Sequence, residues 1–247
     1  MPDYRWNTSP FAEGYDAAAP EIHPYYLAVQ EQIVQLLREH SQSPGGDYHI
    51  ADLGGGSGRL LEKVLTALPT ATATIVDQSE PFLAIAERRL SPFAPRVTFV
   101  ISRLQEPWQE KVPRPQAIIS TSAIHHLEPC EKQAIYQQIA AALPENGLFL
   151  NGDEVRPESE AEYKATMERW ADFMRAGMAS GKIPAGFHPA ALGWIERNVT
   201  RFGEPKKSGD DCHETAAVQL GYFRRAGFRA ADVAWSRELW SVLRAKK

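Results

Sequence analysis

The sequence predicts an α/β protein built on a doubly wound parallel sheet, and three observations lead to this prediction. Short apolar runs alternate with amphipathic stretches from residue 48 onward, which is the pattern of consecutive βαβ units. A cluster of glycines follows the first of these runs, and the acid Asp77 follows the second. Because open α/β sheets bind ligands at the carboxyl ends of their strands, the same observations predict where the site lies.

The composition is that of an ordinary folded chain. Of the 247 residues, 43% are hydrophobic and 23% are charged, with a formal net charge of -4. Disorder and collagen are therefore excluded, and a general attraction to nucleic acid is not expected. The two cysteines, Cys130 and Cys212, are too few for a disulfide scaffold. With no apolar run of about 20 residues and no signal-peptide pattern, we expect a cytoplasmic protein without a membrane partner.

Local patterns justify each element in turn. Apolar residues at steps of three and four predict an amphipathic helix over residues 23–40. An aromatic stretch that includes Tyr4 and Trp6 precedes this helix, and Ser43-Pro44-Gly45-Gly46 ends it. The predicted strands that follow are 48–53, 72–76, 97–101, 117–119 and 147–150. The predicted helices between them are 59–68, 81–90 and 131–143.

Residues 156–215 interrupt this alternation and are predicted to form a helical lid insertion. Helices are expected over 161–178 and 189–199. The first carries a stripe that either belongs to the core or lines a substrate pocket: Tyr163, Met167, Trp170, Phe173 and Met174. A helix over 214–226 and an antiparallel strand pair over 228–235 and 239–245 complete the chain. We therefore expect a single domain over 1–247, with an N-terminal helical cap over 1–46.

The glycine cluster is the most specific local motif. The run Asp52-Leu53-Gly54-Gly55-Gly56-Ser57-Gly58 lies where a strand ends and a helix begins, so backbone N–H groups there can face a ligand. Arg59 stands where the dinucleotide-binding pattern needs its third glycine, and the Lys-Ser/Thr pair of a P-loop is absent. An acid before the glycines suits a ligand with an ammonium group. Asp77, at the end of the next strand, is placed to accept hydrogen bonds from ribose hydroxyls.

Three further motifs follow in order along the chain. The fourth strand continues into Ile118-Ile119-Ser120-Thr121-Ser122-Ala123-Ile124-His125-His126-Leu127, the run Leu143-Pro144-Glu145-Asn146-Gly147 precedes the fifth strand, and Arg225-Ala226-Gly227-Phe228 precedes the sixth. With these motifs, the sequence resembles the class I S-adenosylmethionine-dependent methyltransferases over residues 48–155 and 220–247. The resemblance implies a Rossmann-like, seven-stranded sheet whose last strand is antiparallel, S-adenosyl-L-methionine as the cofactor, and methyl transfer to a small-molecule acceptor.

The resemblance also implies which residues hold the cofactor. The glycine motif and the ribose-binding acid are matched residue by residue, and Arg103 stands where the family often has an acid that contacts the adenine. The predicted cofactor-binding residues are Tyr26, Asp52, Gly54, Gly55, Gly56, Gly58, Asp77, Gln78, Ser102, Arg103, Leu104 and Ser120.

Methyl transfer requires that the two reactants be positioned and, for a protonated acceptor, that a proton be removed. Candidate bases at the strand ends are His125, His126, Asp153 and Glu154. We predict that His125 and Glu154 are catalytic. The residues expected to contact the acceptor are Tyr15, His126, Asp153 and Trp170.

No metal site is predicted from the sequence. The run Asp211-Cys212-His213-Glu214 has ligand-type side chains, but a short run of this kind is typical of a solvated helix start. We therefore interpret it as the beginning of the helix over 214–226.

Alternative functions remain open at this point. Ile22-His23-Pro24-Tyr25-Tyr26 and the ending Trp235–Leu243 are similar to the carboxy-S-adenosylmethionine synthase group, which implies other chemistry on the same cofactor. An RNA methyltransferase and a non-catalytic regulator that binds the cofactor are the further alternatives. The expected oligomeric state is a monomer or a homodimer.

Overall fold

The computed structural model describes residues 7–41 and 48–247, and a seven-stranded sheet crosses the described chain in the order β3-β2-β1-β4-β5-β7-β6. Its strands are β1 His49–Leu53, β2 Thr72–Asp77, β3 Val97–Ile101, β4 Ala117–Thr121, β5 Leu148–Glu154, β6 Ala230–Arg237 and β7 Trp240–Lys246. Strands β1 to β5 pair in parallel, whereas β7 runs antiparallel to both β5 and β6. The predicted doubly wound sheet with an antiparallel last strand is therefore confirmed.

Helices cover both faces of this sheet. They are α1 Ser9–Ile22, α2 Tyr26–Ser41, α3 Arg59–Ala67, α4 Glu80–Leu90, α5 Pro129–Ala142, α6 Glu160–Ala179, α7 His188–Ile195 and α8 Ala216–Ala226. A π-helical turn, Glu196–Thr200, continues from α7. The predicted lid insertion thus corresponds to α6, α7 and this turn. Tyr4, Trp6 and the breaker at 43–46 lie outside the described residues.

Along the central strands, successive buried side chains point to opposite faces of the sheet, and helices cover both faces. Ile50, Ile75, Ile119 and Leu150 pack on the face covered by α2, α3 and α6. Their neighbours pack on the opposite face, under α5 and α8; they are Ala51, Val76, Ile118 and Phe149.

Two differences from the predicted elements bear on the site. Strand β5 continues to Glu154 and is buried throughout, although Asp153 and Glu154 are acids that typically end a strand. Helix α1 was not predicted as an element of its own. Pro20 lies inside it, and a proline cannot donate the backbone hydrogen bond of a helix interior.

The carbonyl group that Pro20 leaves unpaired gives α1 an anchor. The oxygen of Asp16, four residues earlier, accepts a hydrogen bond of 2.7 Å from Nη2 of Arg59 instead. The carboxylate of Asp16 accepts hydrogen bonds from Ser57 at 2.5 Å and from Arg89 at 2.8 Å. Burial would raise the pKa of Asp16, but the hydrogen bonds from Arg89 and Ser57 outweigh burial and hold this pKa below its ordinary value. Asp16 therefore ties α1 to the glycine loop and to α4.

Within the described ranges, the chain contains no helix with both the length and the apolar character that spanning a membrane demands.

We expect Asp16→Ala to lower the free energy of unfolding by about 2 kcal/mol, because it removes charge-assisted hydrogen bonds from a largely buried carboxylate. Asp172→Ala is the control, since Asp172 pairs with Arg175 on the exposed face of α6 and its loss should cost about 0.5 kcal/mol or less. Urea denaturation followed by circular dichroism measures both. Equal losses in the two variants would contradict the role assigned to Asp16.

Candidate active site

Two adjoining cavities open at the carboxyl edge of the sheet. The larger has a volume of about 570 Å³ and lies over the glycine loop; we call it the large cavity. The smaller has a volume of about 150 Å³ and lies between α1, α6 and α7; we call it the small cavity. Tyr15, Ser122 and His126 line both cavities, so these residues mark the boundary between them.

The floor of the large cavity is backbone that only glycine can provide. Gly54 has a φ of +66°, and a Cβ there would lie 2.5 Å from the Cβ of Ala123. A Cβ on Gly55 would lie 2.5 Å from Cγ1 of Ile75. Both separations are too short for real atoms, so no side chain fits at positions 54 and 55 and the backbone there is open to a ligand.

Two acids stand beside this loop, of which Asp52 is buried and Asp77 is half-buried. The carboxylate of Asp77 accepts hydrogen bonds from the backbone N–H groups of Gly56 at 2.9 Å and Ser79 at 2.8 Å. Asp52 is only 1% exposed, and its Oδ2 has no hydrogen-bond partner among the described residues. Burial and the nearby charge of Asp77 raise the pKa of Asp52 to about 7. The pair therefore favours a ligand that brings positive charge and hydrogen-bond donors.

Most of the predicted cofactor-binding residues line the large cavity. Besides the acids and the loop glycines, they are Tyr26, Gln78, Ser102, Arg103 and Leu104.

Gly58 and Ser120 do not line it. Gly58 precedes α3 in the left-handed conformation, and a Cβ there would come within 3.0 Å of Leu90 on α4. Ser120 is buried, and its hydroxyl donates to the oxygen of Leu53 at 2.8 Å. In the structure both residues support the packing beneath the loop.

Sequence reasoning did not identify several residues of the large cavity. Phe82, Gln105, Ser122 and the segment 207–209 also line it. Gly209 reaches the cavity because its N–H donates to the oxygen of His126 at 2.8 Å. Since that contact joins residues 83 positions apart, no local pattern in the sequence predicts it.

The small cavity has aromatic and thioether walls. They are formed mainly by Phe11, Trp170, Met174, Phe187 and Trp194. Trp170 is held in place because its Nε1 donates to the oxygen of Ile22 at 2.6 Å. The predicted stripe on α6 therefore divides: Trp170 and Met174 line the cavity, Met167 is core, and Phe173 is 38% exposed.

His125 lies at the polar end of the small cavity, between two carboxylates. Its Nδ1 is 2.5 Å from Oδ1 of Asp153 and 2.7 Å from Oε2 of Glu154. Its backbone N–H donates to Oδ2 of Asp153 at 2.9 Å. Asp153 and Glu154 are fully buried and line neither cavity, so the structure places them behind the ring of His125.

The electrostatics of this group follow from burial and proximity. Burial alone would lower the pKa of His125, but Glu154 and Asp153 outweigh it and raise this pKa well above its ordinary value. Burial would raise the pKa of Glu154, but His125 and His23 hold it well below its ordinary value. Burial raises the pKa of Asp153. The three groups therefore share their protons as one buried unit.

The run from Asp211 to His213 is buried, which corrects its interpretation as a solvated helix start. Helix α8 begins at Ala216, with Thr215 as its N-cap. The N–H of Cys212 donates to the oxygen of His125 at 2.8 Å, which pulls the run inward against the His125–His126 turn.

Within this run, two side chains face the site. Oδ1 of Asp211 lies 3.4 Å from Nδ1 of His126, and its Oδ2 accepts from Asn198 at 2.7 Å. Nδ1 of His213 lies 2.8 Å from the hydroxyl of Tyr163, and burial lowers the pKa of His213 to about 4. Asp211 therefore adds to the polar end of the small cavity, whereas His213 is buried beside the ring of His125, with the ring centroids 5.5 Å apart.

The part of the chain that carries the glycine loop is similar to known proteins. Residues 50–147 match the family described as "Methyltransferase domain". A curated relative, ribosomal RNA small subunit methyltransferase H of Corynebacterium aurimucosum, is 34% identical over 92 residues, which are 37% of this chain and 26% of the relative.

Solved structures share the fold at low sequence identity. An O-methyltransferase family protein from Burkholderia thailandensis has a TM-score of 0.66 and 16% identity, covering 98% of this chain and 61% of its own. Human N-acetylserotonin methyltransferase, solved in complex with SAM, has a TM-score of 0.63 and 14% identity, with coverages of 98% and 57%. The chain thus spans about three-fifths of the length of these proteins.

We expect Asp52→Asn to stabilise the folded protein more at pH 8 than at pH 5. The folded-state pKa of Asp52 lies above its ordinary value, so the native protein retains a proton that the unfolded chain has released. Stability is therefore lost as the pH rises from about 4 to about 7, and the asparagine avoids this loss, on the order of 3 kcal/mol.

Urea denaturation at several pH values measures the effect. Asp232→Asn is the control, because the hydrogen bond from Arg244 lowers the pKa of Asp232. Asp232 therefore stays ionised from pH 5 to pH 8, and its substitution should change the free energy of unfolding by the same amount at both pH values. If the difference in the free energy of unfolding between Asp52→Asn and the wild type does not change with pH, then the pKa of Asp52 is not raised as described above.

Proposed function

We propose that this chain, which belongs to the class I S-adenosylmethionine-dependent methyltransferases, transfers the cofactor's methyl group to a small-molecule acceptor. One observation carries the proposal. The large cavity over the glycine loop and the apolar small cavity meet at Tyr15, Ser122 and His126. A sulfonium methyl group at this boundary would face an acceptor in the small cavity, as an in-line displacement requires.

The large cavity would hold S-adenosyl-L-methionine. Asp77 would accept hydrogen bonds from the ribose hydroxyls, and Asp52 would face the ammonium group, which compensates the cost of its buried charge. Tyr26 would cover the methionine part, and the segment Ser102–Leu104 would border the adenine. The cofactor supplies the activated methyl group and a neutral leaving group, so the protein's task is to position both reactants.

The small cavity limits the size of the reacting part of the acceptor. Its volume of about 150 Å³ equals that of an engineered apolar protein cavity of about 150 Å³ that binds benzene. A group the size of one six-membered ring would fill it against Trp170, Trp194 and Phe187. The lid, α6 and α7 together with α1, would exclude water from this group during transfer.

His125 is the proposed catalytic residue, because it lines the polar end of the small cavity and its ring is held in place by Asp153 and Glu154. Asp153 and Glu154 would act as positioning residues, because they contact His125 and line neither cavity. His126 and Tyr15 would contact both reactants at the boundary.

Transfer from a cofactor with an isotopically labelled methyl group tests the proposed reaction. The purified protein is incubated with a small-molecule extract and, separately, with ribosomal RNA, and the products are analysed by mass spectrometry. We expect the label in a small molecule. Label found only in RNA would show that the acceptor is RNA and not a small molecule. A carboxylated cofactor would indicate carboxy-S-adenosylmethionine chemistry. Binding of the cofactor without any transfer would indicate a regulator.

We expect Asp77→Ala to weaken S-adenosyl-L-methionine binding by about 1–3 kcal/mol, the cost of losing a charged hydrogen-bond acceptor. Isothermal titration calorimetry measures the affinity of the folded variant. Glu80→Ala is the matched control, because Glu80 is an exposed acid three residues away that does not line the large cavity. An unchanged affinity in Asp77→Ala would mean that the ribose is held elsewhere.

A further inference from the structure

We propose that His125, His126 and Asp211 bind a divalent transition-metal ion at the polar end of the small cavity. Ligand atoms of these three residues lie within 4.8 Å of one another. They come from the turn after β4 and from the segment before α8, so the fold brings together side chains from two distant parts of the sequence.

The separations between these atoms fit a shared ion better than direct hydrogen bonds. Oδ1 of Asp211 lies 3.4 Å from Nδ1 of His126 and 3.7 Å from Nε2 of His125. Charge-assisted hydrogen bonds between such groups are about 2.7–2.9 Å long. Bonds of about 2.0–2.1 Å to one ion, at tetrahedral angles, would separate the ligand atoms by about 3.3 Å.

His126 has a competing contact in this arrangement. Its Nδ1 lies 3.2 Å from the backbone oxygen of Asp210, which is at the long end of the range for such a bond. Ligation of an ion would replace this contact, and the proton would then reside on Nε2 of His126.

Two of the three ligands have the supporting hydrogen bonds that metal ligands usually have. Nδ1 of His125 contacts the carboxylate of Asp153 at 2.5 Å, which leaves Nε2 to face Asp211. Oδ2 of Asp211 accepts a hydrogen bond from Asn198 at 2.7 Å, which leaves Oδ1 to face the histidines. Nδ1 of His125 and Oδ2 of Asp211 are thus held by these hydrogen bonds, while Nε2 of His125 and Oδ1 of Asp211 lie 3.7 Å from each other.

A buried imidazole next to the cluster provides an independent observation. Nε2 of His213 is buried and has no hydrogen-bond partner among the described residues. His213 also forms a second group with His125 and Glu154 whose ligand atoms lie within 4.8 Å of one another. An unpaired buried ring nitrogen is costly, and an ion or its bound water at this point would satisfy it.

Two imidazoles and one carboxylate suit zinc or iron(II), and three protein ligands leave a position open. That position would face the small cavity, because all three residues line it. An acceptor oxygen bound there would be held at the boundary with the large cavity, and the ion would lower its pKa; His125 would then act in catalysis as a ligand. This role rests on the proposed function, whereas binding of the ion does not.

The test uses the untagged, metal-free protein without cofactor or acceptor. Calorimetric titration with Zn²⁺ should give one bound ion, and Co²⁺ should produce the visible absorption of a site with nitrogen and oxygen ligands. Asp211→Asn and His126→Ala should each weaken Zn²⁺ binding by at least about 100-fold, which exceeds the usual effect of losing a supporting residue.

Asp210→Asn is the matched control, since it changes the adjacent acid and leaves the proposed ligands in place. Circular dichroism establishes that each variant is folded. The absence of Zn²⁺ binding by the wild type, or equal binding by Asp210→Asn and Asp211→Asn, would overturn the inference. Titration of the same metal-free protein with S-adenosyl-L-methionine is measured in parallel, so that a failure of the proposed function and a failure of the metal site are distinguished.

Discussion

The burial of two carboxylates at the end of β5 constrains the whole site. Asp153 and Glu154 are fully buried, and buried charges are tolerated only when they are paired and hydrogen-bonded. His125 provides both its ring and its backbone N–H for this purpose, while Ser122 contacts Glu154 at 3.4 Å. Satisfying these acids therefore fixes the turn after β4, and that turn forms the boundary between the two cavities.

The elements added to the sheet complete the site on its other sides. Asp16 holds α1 against the glycine loop through Ser57 and Arg89, so Tyr15 is placed over the boundary. Trp170 joins α6 to the end of α1 through the oxygen of Ile22. Helix α1 therefore contacts both the glycine loop and α6, and in this way it connects the walls of the two cavities.

The parallel sheet and the glycine loop were predictable because their causes are local. Alternating apolar runs define the strands, and the glycines stand together at the end of the first run. The structure adds the reason for glycine at positions 54 and 55, which is the close approach of Ala123 and Ile75. The polar group around His125 was not predictable in full. Asp211 and His213 have the local appearance of a solvated helix start. They are buried by contacts with other elements, such as Asn198 with Asp211, Tyr163 with His213, and the backbone of His125 with that of Cys212. Asp153 and Glu154 were predicted as site residues, but the continuation of β5 through them was not, because the two acids are stabilised by His125, which lies on another element.

The proposed function requires the cofactor's sulfur to lie at the boundary between the two cavities. A crystal structure of the complex with the demethylated cofactor tests this claim most directly. We expect the ribose on Asp77, and the sulfur next to Tyr15, Ser122 and His126 with its open side toward the small cavity. A cofactor bound with its sulfur pointing away from the small cavity, or bound outside the large cavity, would contradict the proposed function.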